Sequence, residues 1–95
     1  MVKIKINIFE LPDREKKIYD QITKLSNPEK QMLWYLIKQT NIEGIALYPK
    51  IEKEMISLIK QEFIAINEIY KGEGFSFFIL QKAPYLLRQL KKLGN

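Results

Sequence analysis

The side chains able to do chemistry in this 95-residue sequence are carboxylates, lysines, arginines and hydroxyls, because it contains neither histidine nor cysteine. Those two absences exclude most of the usual catalytic repertoire. Histidine is the commonest general base near neutral pH and the commonest metal ligand. Cysteine would supply thiolate chemistry, disulfides or a zinc site. A magnesium site or an acid/base pair would have to come from the eleven acidic residues. Their spacing does not favour one. Glu52 and Glu54 are two apart on an expected helix and so point to different faces. The carboxylates read as solvated surface groups balanced by lysines. The expectation is a protein that is not an enzyme, uses no cofactor or metal, and acts by binding.

The sixteen cations outnumber the acids by five. An excess of positive charge favours anionic partners, above all the phosphates of nucleic acid. Six cations against four acids in residues 1–27 give +2, residues 28–71 balance at zero, and residues 72–95 carry +3. The chain length fits one domain with a modest core. No apolar run is long enough to span a bilayer, and the alternating start VKIKINIFE lacks the continuous apolar stretch of a secretory signal. A cytoplasmic protein without a membrane partner is expected.

The elements that must position these charges follow from periodicity. Val2, Ile4, Ile6 and Ile8 alternate with Lys3, Lys5 and Asn7, which predicts a strand buried on one face. Asp13 is placed to cap a helix running to about Leu25, with Ile18, Ile22 and Leu25 on one stripe. Ser26 and Glu29 have capping-box spacing, and Pro28 suits a first helical turn, so a second helix is expected over residues 28–40. Met32, Leu33, Leu36 and Ile37 form its apolar face. Trp34 and Tyr35 flank that face as core aromatics. Residues 42–47 are a short apolar link that can be a strand. From Pro49, the stripe Ile51, Met55, Leu58, Ile59 and Phe63 predicts a third helix over residues 49–62. Residues 63–70 and 75–80 are both β-prone and flank Lys71-Gly72-Glu73-Gly74, which reads as a hairpin. The alternative, a helix continued through Tyr70, leaves FSFFIL without a local partner. Pro84 starts a last helix, with Lys91 and Lys92 at its C-terminal end and Gly94 just beyond.

On the third helix, Lys50, Lys53, Ser57, Lys60 and Gln61 fall together opposite the apolar stripe. Lysines there can meet phosphates and Gln61 can read an adenine edge. Glu54 stands at the margin of that face. Any amphipathic helix has a polar outer face, so the plain reading is a solvated surface. Gly72 and Gly74 are not a phosphate loop, since no lysine–serine or lysine–threonine pair follows.

This order of elements over residues 28–93, with Gly44 and Leu47-Tyr48-Pro49 leading into the third helix, resembles winged helix-turn-helix domains of the MarR and PadR groups of regulators. The resemblance implies an α+β, winged helix-like fold of three to four helices with a C-terminal β-hairpin, preceded here by an extra N-terminal strand and helix in residues 1–25. It implies a DNA-binding transcriptional regulator. Double-stranded DNA would be held by Lys50, Lys53, Ser57, Lys60 and Gln61 on the recognition helix and by Lys71 at the wing. It also implies a homodimer, with residues 2–25 as the natural dimer elements. Two features depart from the family pattern. The two short helices usual before a recognition helix are not separately visible, and the wing tip carries Glu73 where arginines are frequent nearby. A soluble domain of phage superinfection-exclusion proteins has a similar rhythm. A protein-protein interaction module of mobile-element or phage type, without nucleic-acid binding, is therefore the alternative.

Overall fold

The structure is a computed structural model that describes residues 10–93. The expected strand over residues 2–9 lies outside the described residues. Helix α1 (Asp13–Thr23) follows Pro12, which takes the N-cap position without a side-chain cap. Asp13 is therefore the first helical residue rather than the cap, and it sits where negative charge suits the helix dipole. Helix α2 (Asn27–Gln39) starts at the expected capping box, in which Ser26 and Glu29 satisfy each other's backbone amides. Its face Leu33, Leu36 and Ile37 is buried.

Strand β1 (Ile45–Tyr48) leads through Pro49 to helix α3 (Lys53–Lys60), whose N-cap is Glu52. The apolar stripe predicts a helix that starts four residues earlier and runs two residues further. The early end has a specific cause. Glu62 takes a left-handed φ of 65°. Its amide donates to Ile59 O at 3.0 Å, and the Phe63 amide donates to Leu58 O at 3.0 Å. This is a Schellman closure, a job usually given to glycine. Phe63 and Leu58, which such a closure brings together, are both buried. A side chain in the left-handed region costs about 1 kcal/mol. Glu62→Gly is therefore expected to raise stability by roughly 0.5–1 kcal/mol, although it removes the exposed Glu62–Lys82 ion pair at 2.7 Å. Chemical denaturation measures this, and a loss of stability would refute it.

Strands β2 (Ile64–Ile66) and β3 (Phe75–Ile79) form the expected antiparallel hairpin, with Ile64 opposite Ile79 and Ile66 opposite Phe77. The first strand is shorter than expected, so the connection is residues 67–74 rather than a four-residue turn. Gly74 is required there. Its φ is 72°, and a Cβ on it would stand 2.8 Å from Tyr48 O. Strand β1 also pairs antiparallel with β3, giving the order β1-β3-β2. The sheet's inner face carries Ala46, Phe77, Ile79 and Ile64, all buried. Its outer face carries Leu47, Ser76 and Phe78. Ser76 is buried there under Asn67, whose amide nitrogen donates to its hydroxyl at 3.3 Å.

Helix α4 (Pro84–Leu93) follows β3, so the hairpin is internal rather than C-terminal. The described residues thus make an α+β fold of four helices and one three-stranded antiparallel sheet. Helix α1 is joined to α4 by one buried bond, from the Leu86 amide to Glu15 Oε1 at 2.8 Å. Glu15 is fully buried, which corrects its reading as a solvated carboxylate. The signal was present in the spacing, because Leu11, Glu15, Ile18 and Ile22 recur every three or four residues along the core-facing side. Among the described residues, no helix is long and apolar enough to cross a membrane.

Candidate nucleic-acid interface

Helix α3 buries Met55 and Leu58 and turns Lys53, Ser57 and Lys60 outward. These three stand at i, i+4 and i+7, so they share one face. Lys53 and Lys60 are exposed, and neither forms an ion pair among the described residues.

The polar residues between them are engaged elsewhere. The Ser57 hydroxyl donates to Glu29 Oε2 in a short bond. Gln61, the C-cap of α3, donates through Nε2 to Ser57 Oγ at 3.1 Å, to Ser57 O at 3.3 Å and to Glu29 Oε2 at 3.4 Å. The other Glu29 oxygen accepts from the Ser26 amide at 3.0 Å and the Ser26 hydroxyl at 2.8 Å. One carboxylate thus caps α2 and clamps α3. The Ser57 hydroxyl first, then the Ser26 amide and hydroxyl, hold the Glu29 carboxyl below the usual carboxylate range, with Gln61 adding less. Donors aimed at a carboxylate stabilise its charged form. A side chain held this way must give up these bonds before it can reach a base edge.

The remaining expected contacts lie off the helix. Lys50 occupies the bend after Pro49, three residues before α3 begins, and pairs with Glu52 at 3.1 Å. Lys71 is exposed in the hairpin connection, without an ion pair among the described residues. Near it the Tyr70 hydroxyl donates to Glu73 O at 3.2 Å, which folds the connection back on itself. Of the six residues singled out by sequence, the structure places Lys53, Ser57 and Lys60 on one face and Gln61 at its end. Lys50 and Lys71 stand on separate loops.

Sequence reasoning missed Glu29 as the centre of this face. Its capping role was visible locally, but its reach to Ser57 spans 28 residues of sequence. The aromatic pair divides. Trp34 is half-buried against the core, with the Lys38 ammonium 6.0 Å from its ring. Tyr35 is exposed and meets Tyr48 edge-on at 5.7 Å. Lys91, near the C-terminal end of α4, donates to Thr40 O at the end of α2. Among the described residues, no three acidic side chains cluster in a way that could hold a metal ion. Comparison with known proteins finds no family model, curated protein or solved structure that matches the chain.

Proposed function

We propose that this chain is a small cytoplasmic DNA-binding protein of winged-helix type, a transcriptional regulator working as a homodimer. Two unpaired lysines on the same outer face of α3, Lys53 at its start and Lys60 about two turns further at its end, carry this reading. The hairpin β2-β3 and the strand order β1-β3-β2 support it, since a winged helix carries its sheet in that order. One helix stands between β1 and β2 where the family pattern has two. The chemistry favours phosphate contact over base reading, because Ser57 and Gln61 are already committed to Glu29. Lys71 on the hairpin connection supplies a second, separate phosphate contact.

Binding to a double-stranded oligonucleotide, followed by fluorescence anisotropy across a salt series, tests this. Each lysine that meets a phosphate contributes about 0.9 to the slope of log affinity against log salt. The triple variant Lys53→Ala, Lys60→Ala, Lys71→Ala is expected to lose on the order of tenfold in affinity and to flatten the slope by about 2.7 per copy. An unchanged slope removes these residues from the interface.

A second reading, a protein-interaction module without nucleic-acid binding, is favoured by the same Glu29 clamp, which takes the polar centre of α3 away from a ligand. Wild-type protein that passes through immobilised heparin at low salt would support that reading and sink the first.

A further inference from the structure

The described chain leaves one apolar side chain wholly uncovered, Ile42 at 101 % of its reference exposure. It does not sit on a loose loop. The Asn41 side-chain oxygen accepts from the Glu43 amide at 2.8 Å and from the Ile45 amide at 3.1 Å. The Asn41 amide donates to Ile45 O, the Gly44 amide to Asn41 O, and the Ile79 amide to Gly44 O, at 2.9, 3.0 and 2.9 Å. Lys91 of α4 holds the preceding carbonyl of Thr40. The turn is thus fixed before any partner arrives, and an apolar knob is presented on a rigid mount. A preorganised contact loses little entropy on binding.

The knob stands on the rim of a cleft of about 590 Å³, which Ile42 itself helps to line, between this turn, the end of β3 and α4. Phe78, Leu80 and Leu87 supply apolar lining, while Glu43 stands on the turn side and Arg88 on the helix side. Neither charge forms an ion pair among the described residues. The Arg88 guanidinium rests instead 5.6 Å from the Tyr85 ring centroid.

We propose that this cleft is a homodimer interface in which Ile42 of each copy enters the cleft of the other and Glu43 of each copy pairs with Arg88 of the other. A two-fold contact must be self-complementary, with every feature met by its counterpart across the axis. This patch has the required pairs, a knob with a hollow and an acid with a cation. The assignment replaces residues 2–25 as the dimer element. Helix α1 packs one side against its own chain, where Glu15 holds α4. The proposal deepens the reading of a dimeric DNA-binding protein by placing its subunit contact. It rests on that reading only for the use of the dimer, and its test involves no DNA.

Sedimentation velocity of the full chain over a dilution series in the micromolar range tests it, with circular dichroism checking that each variant is folded. Wild type is expected to sediment as a dimer. Ile42→Asp, Glu43→Arg and Arg88→Glu should each weaken the dimer by at least about tenfold, the usual scale for a central interface residue. The double variant Glu43→Arg with Arg88→Glu should restore it, because the pair is reversed rather than lost. A monomeric wild type, a dimer indifferent to Ile42→Asp, or a double variant no better than its parents would each overturn the proposal. A monomeric wild type in which decanoate shifts the NMR signals of Ile42, Phe78 and Leu87 would give the cleft to a small amphipathic acid instead. Loss of DNA binding in a protein that still dimerises would leave this interface standing.

Discussion

Phe77→Ala is expected to lower the unfolding free energy by about 3–5 kcal/mol, while Phe75→Ala, two residues away on the same strand face, should cost less than about 1 kcal/mol. Phe77 occupies the centre of β3, opposite Ala46 on one side and Ile66 on the other, and has no exposed surface. Truncating it removes a full aromatic volume and leaves a hole that strands paired on both edges cannot close. Phe75 is 39 % exposed and sits at the strand end opposite Tyr48. Its truncation removes surface that water already reaches. A domain of this length has only about 5–14 kcal/mol of stability in total. The Phe77 variant should therefore show a urea midpoint lower by roughly 2–4 M, or be unfolded without denaturant. Equal losses at the two positions would mean that β3 does not run through the core in the register described.

That contrast also marks what the sequence could express. The hairpin was legible because two β-prone runs flanked two glycines, and Gly74 does hold a positive φ. The ends of its strands were not, since Ile69 and Tyr70 are β-prone yet lie beyond β2, in a connection where the Tyr70 amide donates to Asn67 O. The pairing of β1 with β3 joins segments about thirty residues apart. No local pattern encodes such a contact, whose strength comes from burial of Ala46 and Phe77 together. Helix α3 was placed correctly by its apolar stripe, and its bounds were missed for a chemical reason. It ends on Glu62, where a glycine would have announced the stop, and the stripe runs on to Phe63 because that residue closes the helix end.

The candidate site was legible in the same graded way. Helical spacing alone sufficed to put Lys53, Ser57 and Lys60 on one face. It could not reveal that Glu29, capping a different helix, takes up Ser57 and Gln61 and leaves only the lysines free to meet an anion. The clamp is also why the polar face cannot be treated as a uniform binding strip. Its ends are cationic and its centre contains a carboxylate held in its charged form.

Glu15 makes the case in the other direction, because composition assigned an acid to solvent and folding buried it. Glu15→Ala is expected to destabilise the chain by about 2 kcal/mol. The Leu86 amide lies in the first turn of α4, where backbone donors have no partner within the helix. Glu15 Oε1 satisfies it from α1, across 71 residues of sequence. Alanine would leave that donor buried and unpaired. The second oxygen, Oε2, is buried without a hydrogen bond, so part of the carboxyl group contributes a desolvation cost rather than a contact. Glu15→Gln keeps an acceptor and should cost less than alanine. Glu15→Met fills the space but offers no acceptor, so it should fall nearer alanine than glutamine. Hydrogen exchange gives a second readout. The Leu86 amide should exchange faster in the Ala and Met variants than in Gln, while amides of β3 should follow only the global change in stability. If Met proved more stable than wild type, the bond to α4 would be worth less than the burial of the orphaned oxygen costs, and α1 would be held by its apolar stripe alone.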